Sequence, residues 1–209
     1  MFKRMSILIR LHQDDRESFA AKWEYHGTLV SQLPLIRTYL QNHVVETITR
    51  QGVIEADGIV ELKFDRPEDM ATAFASPNAA AVKADEPGFL GHGTGYALET
   101  DTMPLCSPDG AKLIAVWATN SDPSVERLVH AARSIPGFKR AVRDVVASVI
   151  PRPEMRRPPQ RVSTFLHLLF ADTEAASSAG RTLVGSIGAE NAANVSVFRV
   201  RTNVVIHDA

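Results

Sequence analysis

Leu33-Pro34-Leu35-Ile36-Arg37 and Ile135-Pro136-Gly137-Phe138-Lys139 lie 102 residues apart in a chain of 209. Each segment follows a helix-like period and precedes a strand-like one, so the chain repeats itself at about half its length. Two copies of roughly 100 residues each match the ordinary size of a small domain. The boundary falls at 105–110, where Pro104, Pro108 and Gly110 cluster, giving units at 1–106 and 107–209.

The first copy begins with an Ile/Leu-rich strand at 6–11, after which the period changes. Phe19, Lys22/Trp23, His26, Leu29/Val30 and Leu33 recur at steps of three and four, which predicts a helix over 16–32 stopped by Pro34. Strands follow at 37–49 and 59–64, separated by Gly52 and Asp57-Gly58. Pro67 then opens a helix whose Met70, Ala73 and Phe74 face inward, and a fourth strand is expected at 95–102. The second copy has strands at 112–119, up to Ile150, at 164–170 and at 195–206, with helices at 124–134 and 172–185. Both copies read β-α-β-β-α-β, the ferredoxin-like order, in an α+β fold. Helices cover only one face of each antiparallel sheet, so the bare faces must meet. The expected architecture is an intramolecular dimeric α/β-barrel, either as a monomeric pseudo-dimer or as a homodimer of tandem chains.

Composition removes several function classes. With 23 basic and 24 acidic residues the formal charge is -1, so no net field gathers nucleic acid or an anionic membrane. The single cysteine, Cys106, makes no intrachain disulfide and fits a reducing cytoplasm. The apolar stretch 6–11 is too short for a bilayer, and neither signal peptide nor transmembrane helix is expected. Arg152, Arg156, Arg157 and Arg161 sit among prolines in an insertion of the second copy. This run reads as a solvated loop, with capture of an anion as the alternative.

Phe19, Trp23, His26, Leu29-Val30 and Leu33-Pro34, followed by Arg37 and Tyr39, resemble the EthD family of the dimeric α/β-barrel superfamily. Asp57-Gly58-Ile59-Val60-Glu61-Leu62, Phe74-Ala75-Ser76-Pro77 and Asp85-Glu86 with Phe89 look like later blocks of the same family, covering most of 1–103. The second half keeps the fold pattern without the motif. The resemblance implies a cavity between sheet and helices. It also implies cofactor-free isomerases, cyclases or dehydratases acting on lactones or aromatic polyketides.

Among single residues, His26 stands out because an imidazole with a pKa of about 6.5 can take and return a proton at neutral pH. Its spacing from Trp23 and Leu29 places it on or beside the inward helix face, either as a proton carrier or as a core histidine satisfied by a backbone carbonyl. The resemblance assigns His26 and Tyr39 to positions that act as acid/base and hydroxyl partners in a lactone isomerase. Tyr39 can donate to a developing enolate oxygen or simply pack in a core. His43 shares its sheet face, with Gln41 between them, and is expected to bind or polarise the substrate oxygen together with Tyr39, the alternative being a solvent-facing edge. Trp23 and Phe89 would wall the pocket. Asp85, or His92 from a glycine-rich loop, would assist, although an acidic pair before Pro87 is more often a cap or turn.

No histidine pair has tight metal-ligand spacing, and Gly91, Gly93 and Gly95 precede a strand rather than open a helix, so neither metal nor nucleotide is expected. The resulting expectation is a cofactor-independent proton-transfer enzyme for a small hydrophobic oxygenated substrate. The alternatives are an accessory protein that holds such a ligand for an oxygenase, and a haem protein using a second-repeat histidine.

Overall fold

A computed structural model describes residues 1–49, 52–99, 106–107, 109–118, 122–152, 154–155, 157–188 and 193–207. The first repeat comprises β1 (Phe2–Arg10), α1 (Arg16–Val30), β2 (Thr38–Thr47), β3 (Gly58–Phe64), α2 (Pro67–Ala75), α3 (Ala79–Asp85), a 3₁₀ turn (Glu86–Gly88) and β4 (Leu90–Leu98). The second comprises β5 (Lys112–Trp117), α4 (Asp122–Arg133), β6 (Phe138–Ile150), β7 (Thr164–Phe170), α5 (Thr173–Ser186) and β8 (Val195–His207).

The strands close into an antiparallel barrel in the order β1-β3-β2-β8-β5-β7-β6-β4. Each repeat therefore supplies four adjacent strands in the ferredoxin-like order. The seams are β2 on β8, with Gln41 opposite Asn203, and β4 on β6, with Gly95 opposite Ile150. Closure removes the sheet edges that each unit would otherwise expose. The fold is the α/β-barrel of two ferredoxin-like repeats that the period switches imply.

Side-chain alternation divides the molecule into three cores. Met5, Ile7, Ile59, Tyr96, Ile114, Phe165 and Phe198 fill the barrel. Phe19, Trp23, Val30, Tyr39, Leu62 and Phe89 lie between the first sheet and its helices. Trp117, Leu128, Leu166, Leu168, Leu183 and Val197 pack the equivalent second layer.

Four local expectations need correction. Strand β1 starts at Phe2 rather than Ser6, so Arg4 is a strand residue. Strand β4 starts at Leu90 rather than Gly95, because His92 and Gly93 pair with Ile9 and Leu8. The glycines that look like a loop in sequence are thus strand positions, and His92 lies on β4 instead of a mobile loop. Residues 67–85 form two helices, and Phe74 is 37% exposed instead of inward. The last three residues of the expected strand 95–102, and residues 104–105 and 108 at the repeat boundary, lie outside the described residues.

The repeat extends to the backbone. Leu35 has φ 67° and Gly137, 102 residues later, has φ 82°. The first copy holds a leucine in a left-handed conformation that its counterpart assigns to glycine. Leu35 is 45% exposed, so little burial is lost on truncation. Leu35→Gly should therefore stabilise the protein by about 0.5–1 kcal/mol, after allowing for the freer unfolded chain, and raise the melting temperature in a calorimetric scan.

A polar plug occupies the barrel interior. Lys3 Nζ lies 2.6 Å from Asp144 Oδ2 and 3.1 Å from Glu61 Oε2, while Lys112 Nζ lies 2.7 Å from Glu61 Oε1, all fully buried. His167 Nε2 is 3.1 Å from Asp144, and Asn42 donates to Glu61 at 3.0 Å. The strand registers place these residues as pseudo-twofold mates: Glu61 faces Met5 as His167 faces Ile114, and Asn42 faces Ile59 as Asp144 faces Phe165. Glu61, Asp144 and His167 bring three possible metal-ligand atoms within 4.8 Å of one another. The two ammonium groups already neutralise the carboxylates there and would repel a dication, so this cluster is an ion-pair network rather than a metal centre.

Candidate active site

Helix α1 begins where the Asp15 side chain accepts a hydrogen bond from the Ser18 amide at 2.7 Å. It buries Phe19, Trp23, His26 and Val30 on one face. Facing them are the outward positions of β2 (Tyr39, Gln41, His43) and of β1 (Arg4, Ser6, Leu8), as alternation requires. Phe89, after the 3₁₀ turn, closes the layer from the side, its ring centroid 4.9 Å from His26 and 6.0 Å from Phe19.

His26 and Tyr39 both wall a hollow of about 50 Å³, with Trp23 and Phe89 as apolar walls and Arg4, Glu86 and Arg152 as charged ones. This volume has room for only a few waters. An outer cleft of about 580 Å³ shares Glu86 and Leu90 as walls with the hollow.

Asp85, at the end of α3, lies with Oδ2 2.9 Å from His26 Nδ1. The carboxylate accepts from Nδ1–H, which leaves the lone pair on Nε2. Burial pushes the imidazole below its ordinary pKa, and Asp85 and Glu86 oppose that shift only in part. The ring is therefore neutral at pH 7, in the protonation state a base requires. Tyr39 is buried, and its hydroxyl accepts from Gln41 Nε2 at 3.0 Å. Gln41 Nε2 also donates to the Trp23 carbonyl at 2.6 Å, and Gln41 Oε1 accepts from Asn203 at 2.8 Å. Burial raises the phenol well above its usual range, so it stays a proton donor.

Two expected participants are placed elsewhere. His43 does not line the hollow; its ring packs on the Trp23 indole at 4.6 Å and its Nε2 lies 3.6 Å from Glu24. Burial and Arg201 lower its pKa to about 4. His92 is buried beside Thr94, whose hydroxyl is 3.3 Å from Nε2, and borders a separate crevice with Val149 and Pro151. Regular strand geometry turns it away from Gly93 and Gly95, which border the two arginines.

Sequence reasoning passed over Arg4 and read Arg152 as part of a solvated run, with anion capture as the alternative. Arg4 reads as a charged flank until β1 is extended to Phe2, when the Arg4/Ser6/Leu8 alternation becomes visible. Arg152 lies in the insertion read as solvated, yet its guanidinium reaches Glu86 and the hollow. In the second repeat, His130 is exposed on α4 and His167 is fixed in the barrel interior, while the sheet-helix layer is filled by side chains. The described part of that repeat thus sets neither histidine beside an open layer.

Residues 12–93 match the family model of the EthD domain. Among solved structures, an anthrone oxidase-like protein is similar over 100% of this chain and 96% of its own, with a TM-score of 0.59 and 11% identity. A "putative monooxygenase" from Fusobacterium nucleatum subsp. nucleatum is similar over 97% of this chain and 93% of its own, with a TM-score of 0.57 and 7% identity. A second, from Lactobacillus acidophilus, has a TM-score of 0.50 and 12% identity over 98% and 96% of the two chains. At such identities the likeness is one of fold. No curated protein matches the chain in sequence. Among the described residues, no helix is long and apolar enough to cross a membrane.

Proposed function

We propose, from the match of residues 12–93 to the EthD domain model and from the site geometry, an enzyme that relocates a proton on a small oxygenated substrate. The observation that carries this reading is the pairing of His26, oriented by Asp85, with the protonated Tyr39 phenol on the walls of one hollow. Nε2 of His26 removes a proton from a carbon next to a carbonyl. The Tyr39 hydroxyl donates a hydrogen bond to the oxygen on which negative charge develops. His26 then returns the proton at a second position, giving isomerisation, or to a departing hydroxyl, giving dehydration. Each step balances without an oxidant, and the apolar walls from Trp23, Val60, Leu62 and Phe89 select an aromatic or alicyclic body.

The reading is tested with 2-tetralone and a γ-lactone in D₂O, following the α-proton signal by NMR. Protein-dependent loss of that signal supports it. Binding of these compounds, seen as line broadening, without exchange above the buffer rate would overturn it in favour of an accessory role as ligand carrier.

A further inference from the structure

The glycines of β4 have a role that the proton-transfer reading does not use. Gly93 and Gly95 are alternate residues on the strand, so they share a face. A Cβ on Gly93 would stand 3.1 Å from Arg152 Nη1, and one on Gly95 would stand 3.3 Å from Arg4 Nη2. The bare strand therefore makes a floor on which two guanidinium groups, one from each repeat, lie at the edge of the hollow. Arg4 also stacks on Phe74, its Cζ 5.4 Å from the ring centroid, and its Nε is buried without a hydrogen-bond partner. Arg152 is held from both sides by Glu86 and Glu154.

Two cations beside an apolar hollow repel each other unless an anion lies near them. Burial and Arg152 together lower the pKa of Arg4 to about 10, with Glu86 acting in the opposite sense. Glu86 is the carboxylate on the hollow's wall, and it also borders the outer cleft. It therefore occupies the place that a ligand's negative group would take, at the boundary between the two volumes.

We infer that Arg4 and Arg152 form a carboxylate-binding subsite on the glycine floor, that Glu86 is the internal anion a ligand displaces, and that the substrate class is an aromatic carboxylate. This inference rests on the proton-transfer reading for what happens to the ligand, but not for how the ligand is held. Guanidinium groups match a carboxylate through paired N–H donors, and Arg4 Nε offers one that the protein leaves unused. Moving Glu86 away from Arg152 joins the hollow to the cleft, giving the opening that a 50 Å³ space needs in order to admit a ring.

The test compares 2-naphthoate with the neutral 2-naphthalenemethanol by isothermal titration calorimetry on the full chain. Naphthoate should bind about tenfold or more tightly than the alcohol, as expected for charge-assisted hydrogen bonds in a sheltered site. Arg4→Met should remove that preference, bringing the two affinities together by weakening naphthoate far more than the alcohol. Glu86→Gln, which deletes the internal competitor, should tighten naphthoate several-fold more than it tightens the alcohol, whose ring gains only the easier opening. Equal affinity for both probes, no naphthoate binding, or weaker naphthoate binding in Glu86→Gln would overturn the subsite. Exchange on neutral 2-tetralone reads the other proposal separately: its persistence without a naphthoate preference removes the anion site alone, and its absence with the preference intact removes the proton transfer alone.

Discussion

Replacing His26 with Gln should lower solvent exchange on an accepted ketone or lactone by about a hundredfold or more, the usual contribution of a positioned acid/base. Glutamine keeps a donor for Asp85, which lies 2.9 Å from the native ring, but has no atom that accepts a proton at neutral pH. Thermal melts should shift little, because a neutral side chain replaces a neutral imidazole. Tyr39→Phe should cost about a hundredfold, since it removes one donor to the developing charge without removing the base. It also leaves Gln41 Nε2 with the Trp23 carbonyl as an acceptor. A His26→Gln protein that turns over at the native rate would show that the imidazole is merely a packed ring against Phe89.

The largest effect on stability is expected from Glu61→Leu. Glu61 accepts from Lys112 at 2.7 Å and lies 3.1 Å from Lys3, with all three side chains fully buried. Leucine leaves two buried ammonium groups with Asp144 as the carboxylate near them among the described residues. Breaking a buried pair in this way costs about 3–5 kcal/mol, enough to unfold much of a marginally stable chain at 37 °C. Denaturant titration should show the midpoint falling, whereas Glu61→Gln, which keeps one oxygen to accept from Lys112 and Asn42 but loses the charge and the acceptor facing Lys3, should fall less. The same network sets an acid limit. Burial alone would raise the Glu61 carboxyl, but Lys112 and Lys3 overcome it and hold the group well below the usual carboxylate range. Asp144 is likewise lowered, by His167 and Lys3 acting against burial. A carboxylate depressed in the folded state contributes its full stability above the unfolded value of about 4, and that contribution fades as pH falls toward the folded pKa. Stability should therefore drop steeply below about pH 4. His167 adds an earlier decline, because burial lowers its pKa and the unfolded imidazole binds protons first below about pH 6.5.

The architecture was legible because two independent signals agreed. The 102-residue spacing of the Leu-Pro and Ile-Pro turns marked the duplication, and the switch from period 3.6 to period 2 marked the elements within each copy. The turn signal is strong enough to appear as left-handed backbone at both Leu35 and Gly137. Strand ends were less legible where local composition competed with tertiary pairing. Gly91-His92-Gly93 has loop composition, and only its ladder with β1 makes it a strand. The α1 and β2 residues of the site follow from helical and strand spacing, since Trp23, His26 and Tyr39 each fall on an inward face. Arg4 and Arg152 do not follow from local pattern, because one is separated from the other by most of the chain and they meet only when the barrel closes. His43 shows the opposite difficulty: its alternation with Tyr39 and Gln41 is correct, but a face is wider than a cavity, and the Trp23 ring lies against it.

In the proposed reaction a neutral His26, protonated at Nδ1 toward Asp85, offers Nε2 to a ligand in the hollow. This state is measured most directly by ¹⁵N NMR of histidine-labelled protein, with His26→Gln identifying the resonance. The Nδ1–H tautomer is expected at pH 7, with a midpoint below the free-histidine value of about 6.5 and a displaced Nε2 signal when 2-tetralone is added. An imidazolium at pH 7, or an Nε2–H tautomer indifferent to the ketone, would contradict that role.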